Sequence, residues 1–127
     1  MAIIAVDADG TIFTHCYPKV GRDIGAAPVL KELVDNGHKL ILWTMRSDEY
    51  LADAVNWYKI NGIPLFGINE NPEQHSWTNS PKAYANIYLD DAALGIPLTY
   101  SVLEDRPYVD WDKTRELLVY MGLIVNV

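Results

Sequence analysis

The sequence predicts an α/β fold, a doubly wound parallel sheet in three layers with helices on both faces, in one domain over residues 1–127. Short apolar runs alternate along the chain with segments whose apolar residues recur at helical spacing. Residues 2–6 are apolar without interruption, which is typical of a strand covered on both faces. The 127 residues, 50% hydrophobic and 21% charged, are enough for one core but not for two.

Turn-forming residues divide the middle of the chain into helices and strands. Pro28 suits the first turn of a helix, and Ser47 suits the cap of a second one. An Asn-Gly dipeptide follows each predicted helix and ends it. The apolar runs at 40–43 and 65–68 then predict the second and third strands.

The second half of the chain gives weaker signals. Pro81 suggests one helical turn, and residues 87–89 and 97–100 suggest a fourth strand and a short fifth one. Asp110 or Asp112 caps a last helix. Its expected buried face consists of Trp111, Thr114, Leu117, Leu118 and Met121.

Two segments carry no clear period. We expect residues 12–26 to form a surface loop or flap beside the end of the first strand, and residues 123–127 to form a final strand or a tail on the core. His15 and Cys16 in the first segment are too few to bind zinc, so we interpret them as incidental loop residues.

Composition excludes some classes of function and location. The net charge of -7 disfavours nucleic acid as a partner. The lone Cys16 allows no internal disulfide and fits a reducing compartment. No signal sequence or membrane span is evident, so we expect a cytoplasmic protein without a membrane partner. A homo-oligomer is left open.

Polar residues follow three of the predicted strands. Asp7 and Asp9 follow the first strand, Thr44 follows the second, and Asp90 and Asp91 follow the fourth. For these side chains to meet, the first strand must lie between the second and the fourth, which gives the order 3-2-1-4. A fifth strand outside these four is left open. Ligands bind in open parallel sheets at the carboxyl ends of the strands.

Carboxylates that meet at one sheet edge require a cation. Two like charges about 4 Å apart repel by roughly 4 kcal/mol at an effective dielectric constant near 20. The candidate ligands are all oxygen atoms, which indicates a hard ion such as Mg²⁺. A carboxylate beside Mg²⁺ can attack phosphorus and form an aspartyl phosphate. The Thr44 hydroxyl and the Lys82 ammonium would then donate to the phosphate, and Gly10 lets backbone amides approach it.

Four motifs in this order resemble those of the haloacid dehalogenase superfamily of phosphohydrolases. They are DADGT at residues 7–11, the threonine of LILWTMR, Lys82, and IYLDD at residues 87–91. The resemblance implies a Rossmann-like domain and a Mg²⁺-dependent phosphomonoester phosphatase. Its substrate would be a phosphorylated small molecule or macromolecule.

The resemblance also implies a role for each motif residue. Asp7 would be the nucleophile and Asp9 the general acid and base. Mg²⁺ would be held by the Asp7 carboxylate, the Asp9 backbone carbonyl and Asp90, with Asp91 a direct or water-mediated ligand. We assign phosphate binding to Gly10, Thr11, Thr44, Met45 and Lys82.

The chain departs from the family pattern at two points. Lys82 lies only eight residues before Asp90, closer than in many members, and Arg46 could substitute for it as the phosphate-binding cation. The segments at 12–26 and 46–81 are too short for a cap domain, so the chain resembles a capless member. Such members act on large substrates or borrow a neighbouring subunit as a lid.

Two other functions are compatible with the fold class. A response-regulator receiver has similar length and an acidic pocket, but its phosphorylated aspartate ends the third strand, where this chain has Asn69. A noncatalytic binding module would not need Asp9, whose expected role serves turnover.

Overall fold

A computed structural model describes residues 1–125 of the protein. It is a mixed α/β fold with a four-stranded parallel sheet. The sheet strands are β1 (Ile3–Val6), β2 (Lys39–Leu42), β3 (Gly67–Ile68) and β4 (Ile87–Leu89). Their order is β3-β2-β1-β4, as predicted.

Three helices and a small second sheet complete the described elements. Helix α1 (Ala26–Asp35) follows β1, α2 (Asp48–Ile60) follows β2, and α3 (Trp111–Tyr120) ends the set. The predicted fifth strand exists as β5 (Leu98–Thr99), but it pairs antiparallel with β6 (Tyr108–Val109) and does not extend the main sheet.

The two faces of the main sheet are covered differently. The larger core cluster contains Ile4 and Val6 of β1 together with buried residues of all three helices. Ile3 and Ala5, which point to the opposite face, belong to a smaller cluster whose other members lie outside helices. The expectation that helices cover both faces is therefore not confirmed.

Several local predictions were wrong. Residues 12 and 13 are fully buried, so the segment after β1 begins in the core and not on the surface. No helix begins at Pro81; a 3₁₀ turn at Gln74–Ser76 precedes it. The Ser47 side chain makes no cap hydrogen bond, whereas Asp110 accepts one from Lys113 N–H, as predicted.

The chain after α3 packs against the core. Leu117 on α3 and Met121 just after it are exposed, contrary to the predicted buried face, because Trp111, Thr114 and Leu118 make the contacts with the core. Ile124 is buried and forms no strand, and residues 126–127 of the predicted tail lie outside the described residues. None of the helices within residues 1–125 is long and apolar enough to cross a membrane.

Candidate functional site

The carboxyl ends of all four sheet strands meet at one cavity. Each strand is followed directly by a residue that faces it, because the parallel strands end at the same edge. The cavity has a volume of about 360 Å³. It is lined by Asp7, Trp43, Thr44, Met45, Asn69 and Asp90.

Three carboxylates come together at this edge. One oxygen from each of Asp7, Asp90 and Asp91 lies within 4.8 Å of the other two. Burial, with the charge of Asp90 adding to it, raises the pKa of Asp7 to about 8. Asp7 is half-buried beside acidic neighbours, and none of the ion pairs found among residues 1–125 includes Asp7 or Asp90. The cluster therefore has the donor chemistry and the excess negative charge of a cation site.

Thr11 joins two members of this cluster. Its hydroxyl donates to Asp7 Oδ2 at 2.9 Å and accepts the Asp91 N–H at 3.0 Å. The turn after β1 makes this possible, since Gly10 has a φ of 80° and the chain reverses at once. Thr11 is fully buried and its hydroxyl is used to hold the carboxylates, so the structure does not place it on the cavity where we predicted phosphate binding.

His15 holds the far side of Asp91. Its Nε2 lies 2.8 Å from Asp91 Oδ2, and both side chains are largely buried. Gly10 leaves the space for this contact, because a Cβ there would overlap the imidazole ring. The interpretation of His15 as an incidental loop residue was wrong.

The second and third strands supply polar groups on the other side of the cavity. Asn69, at a φ of 54°, turns its Oδ1 to accept the Thr44 N–H at 2.8 Å. The Thr44 hydroxyl oxygen accepts the Arg46 N–H at 3.1 Å. Because that oxygen serves as an acceptor, its hydrogen is available to donate toward the cavity.

Asp9 belongs neither to the carboxylate cluster nor to the cavity lining, and it pairs with Arg46. The two oxygens of its carboxylate accept from Arg46 Nε at 2.8 Å and Nη2 at 2.7 Å, a bidentate ion pair. This pair raises the pKa of Arg46 above its usual range. Asp9 is thus outside the set of residues that line the cavity, although it lies only two positions from Asp7.

Lys82 also lies outside that set. Its ammonium nitrogen is 5.4 Å from the centre of the Tyr88 ring, over a second surface cavity. The segment before β4 is not helical, so its backbone does not carry Lys82 to the end of the strand. The lining of the site cavity contains no cationic side chain.

The site loop, residues 7–11 after β1, is held in place by β6 and the start of α3. Trp111 donates its indole N–H to the Thr11 carbonyl at 2.7 Å, and Val109 N–H donates to the Gly10 carbonyl at 3.0 Å. Trp111 is buried, so it supports the loop from behind and does not contact a substrate.

The structure therefore brings together Asp7, Thr11, Thr44, Met45, Asp90 and Asp91 of the predicted residues, with Gly10 at the turn. It separates Asp9 and Lys82 from the cavity lining. His15 and Asn69 were missed. Asn69 follows β3 directly, the same signal that selected Asp7 and Thr44, whereas nothing in the local sequence around His15 indicates its contact with Asp91.

The fold and site define a mixed α/β protein with a carboxylate cluster at the carboxyl edge of a parallel sheet. No protein-family model and no curated protein matches the chain. The solved structure of a conserved protein from Bacteroides thetaiotaomicron is similar, with 35% sequence identity and a TM-score of 0.77 over 94% of this chain and 91% of that one. The chain belongs to the family of that conserved protein.

Proposed function

We propose that the protein is a Mg²⁺-dependent phosphohydrolase of the haloacid dehalogenase type, which cleaves phosphomonoesters through an aspartyl phosphate on Asp7. The observation that carries the proposal is the cluster of Asp7, Asp90 and Asp91 at the carboxyl edge of the sheet, beside a cavity that also contains Thr44. The order of the four sequence motifs along the chain supports it.

The donor set fits Mg²⁺. It consists of carboxylate oxygens only, the ligands that hard divalent cations prefer. Asp7 and Asp90 face the cavity, so they are the proposed direct ligands. The family resemblance adds the Asp9 backbone carbonyl as a proposed third ligand. Both oxygens of Asp91 have protein neighbours, Thr11 and His15, which favours a water-mediated role for this residue. When bound, Mg²⁺ supplies charge neutralisation for the nucleophile and the phosphoryl group.

The chemistry of the chain's own residues then has two steps. An Asp7 oxygen attacks phosphorus, the bond from phosphorus to the ester oxygen breaks, and the leaving oxygen takes a proton from Asp9, which enters this step in its protonated form. Water next attacks the aspartyl phosphate and gives its proton back to Asp9. Thr44 donates its hydroxyl hydrogen to a phosphoryl oxygen.

Lys82 is the proposed cation for the phosphoryl group. Tyr88 and Asp90 are two positions apart along β4 and its end, so their side chains point to the same side. The ammonium over the Tyr88 ring therefore lies on the side of β4 to which Asp90 points. Arg46 is not proposed for this role, because its donors are already used.

The proposal includes the absence of a cap domain and the arrangement of helices around the sheet. We assign the chain a capless, doubly wound domain of this superfamily, with a site open to water and to large substrates. A phosphorylated substrate and a cytoplasmic setting are compatible with the charge of -7 and the lone Cys16.

The test is phosphate release from a panel of phosphomonoesters, with and without Mg²⁺, by the wild type and Asp7→Asn. Asp35→Asn is the matched control, since Asp35 is exposed at the end of α1. We expect Mg²⁺-dependent release by the wild type and the control, and loss by at least about 1,000-fold in Asp7→Asn.

Three results would contradict the proposal. Equal release by wild type and Asp7→Asn would exclude Asp7 as the nucleophile. A stable phosphate left on Asp7 by acetyl phosphate, without turnover, would favour a receiver-like domain. Absence of both activity and any change in Tm with Mg²⁺ would favour a noncatalytic binding module.

A further inference from the structure

Arg46 is a buried arginine whose side chain has no donor left for a ligand. Only 3% of the residue is exposed. Its guanidinium carries five N–H groups, and each has an acceptor. The acceptors are both carboxylate oxygens of Asp9 and the backbone carbonyls of Pro18, Lys19 and Tyr50.

These contacts join three separate parts of the chain. Pro18 and Lys19 belong to the 17–19 segment, which follows the site loop, and Tyr50 lies in the first turn of α2. The rings of Phe13 and Tyr17 lie on the guanidinium, with centres 5.4 and 5.2 Å from its central carbon. The guanidinium is thus held by three backbone carbonyls and two aromatic rings in addition to Asp9.

We propose that Arg46 is a positioning residue, which sets the orientation of Asp9 and couples it to the 17–19 segment. The inference rests on the proposed function, in which Asp9 is the proton-transfer group. Two parallel hydrogen bonds fix the rotation of a carboxylate, whereas one bond leaves it free to turn. The three carbonyl contacts hold the guanidinium itself, so the orientation of Asp9 depends on the 17–19 segment remaining in place.

Arg46→Lys is the decisive substitution, because it keeps the charge and removes the planar fork. We expect kcat to fall by about 10- to 100-fold. KM and the dissociation constant for Mg²⁺ should stay within about threefold, because the Arg46 side chain contacts neither the cavity lining nor the three clustered carboxylates. If Arg46 instead bound the phosphate of the substrate, its substitution would mainly raise KM and leave kcat nearly unchanged. That result would overturn the proposal.

Arg115→Lys is the matched control. Arg115 forms a bidentate pair with Glu32 through Nε at 2.8 Å and Nη2 at 2.7 Å, the same geometry between α1 and α3. Its substitution should leave kcat and KM at the wild-type values. If both lysine variants lose kcat equally, the Arg46 effect is general loss of structure and not positioning.

A double-mutant cycle with Asp9→Asn separates positioning from stability. A residue that acts through Asp9 has little left to contribute once that carboxylate is gone, so the two effects on kcat should not add. The wild type, the two single variants and the double variant are compared on p-nitrophenyl phosphate. Its leaving group departs without a proton, so the cycle reports the step in which Asp9 takes the proton of the attacking water. An Arg46→Lys effect of the same size in both backgrounds would refute the coupling.

Trypsin cleavage after Lys19 provides a readout that is independent of activity. The Lys19 carbonyl accepts from Arg46 Nη2 at 2.9 Å, so this peptide bond is held in the wild type. We expect faster cleavage there in Arg46→Lys, and also in Asp9→Asn, which removes the negative charge and replaces one of the two acceptor oxygens by an NH₂ donor without changing the arginine. Unchanged cleavage in both variants would overturn the coupling to the 17–19 segment. If the wild type lacks phosphatase activity but cleavage changes as expected, the proposed function fails and the coupling stands.

Discussion

His15 controls one carboxylate of the cluster from outside the cavity. Its imidazole lies against Asp91 Oδ2 at 2.8 Å, while Thr11 lies near Oδ1 at 3.4 Å. Groups that hold a metal-bound carboxylate or its water shell in place contribute to metal affinity without touching the metal. We therefore expect His15→Ala to weaken Mg²⁺ binding by about tenfold, measured by calorimetry.

His75→Ala is the control for this substitution. His75 is exposed, its Nε2 lies 3.9 Å from Glu70 Oε2, and it belongs neither to the carboxylate cluster nor to the cavity lining. Its Mg²⁺ affinity should equal that of the wild type. If His15→Ala also binds Mg²⁺ as the wild type does, the contact of His15 with Asp91 does not contribute to metal affinity.

The charge of Asp7 should make the metal-free protein less stable as the pH rises. The pKa of Asp7 is about 8 in the folded protein, against 3.8 for the unpaired group. Between these values the folded state holds more protons than the unfolded state, so the free energy of unfolding falls with increasing pH and levels off above about 8. The stabilising contribution of protonated Asp7 is complete only below pH 3.8.

Asp7→Asn removes this pH dependence. In EDTA at pH 8 we expect the variant to be more stable than the wild type by about 1 kcal/mol or more, and the difference to shrink toward pH 4. Urea unfolding at a series of pH values measures it, with Asp35→Asn as the control. A difference that does not vary with pH would contradict the assigned desolvation of Asp7.

At the scale of elements, the turn after β1 requires glycine for two reasons. Gly10 has a φ of 80°, and a Cβ there would overlap the His15 ring and lie 2.6 Å from Asp91 Oδ2. Gly37 has a similar φ of 87° with no atom within 4 Å of the added Cβ. The two positions therefore separate backbone strain from the loss of space.

We expect Gly37→Ala to destabilise the protein by about 1 to 2 kcal/mol through strain alone. Gly10→Ala should cost more and should also weaken Mg²⁺ binding, because it displaces His15 and Asp91. Urea unfolding and calorimetry measure the two effects. Equal behaviour of both variants would mean that the turn accommodates a side chain beside the cluster.

The buried strands were predictable because their apolar runs are unambiguous. Strands β1, β2 and β4 lie within one residue of their expected positions, and the strand order followed from the requirement that their polar ends meet. Pro81 gave a false helix signal, since proline suits a loop as well as a first helical turn. The burial of Phe13 was not predictable from a segment without periodicity.

In the site, too, residues with a local sequence signal were predicted and residues without one were missed. Asp7, Thr44 and Asp90 were found because a strand end fixes where a side chain points. Contacts between distant loops leave no such local signal. His15 meets Asp91 from 76 positions away, and Arg46 meets Asp9 from 37 positions away, so only the folded chain shows these partners.

At the scale of the whole molecule, the fold concentrates negative charge at one sheet edge of an already acidic protein. The chain carries 17 acidic and 10 basic residues, and the lining of the site cavity adds no cationic side chain. This field attracts a divalent cation and repels a phosphate dianion. Mg²⁺ is therefore expected to bind before the substrate.

The dependence of Mg²⁺ binding on salt tests this field. Raising the ionic strength from about 0.01 M to about 0.15 M shortens the Debye length from about 30 Å to about 8 Å, which screens distant charges but not adjacent ones. We expect Mg²⁺ affinity to fall by about three- to tenfold, as measured by calorimetry in KCl. Asp35→Lys changes the net charge by two at an exposed position, so it should weaken Mg²⁺ binding at low salt and have no effect at about 0.15 M. Affinity that does not respond to salt or to Asp35→Lys would mean that the neighbouring carboxylates alone determine it.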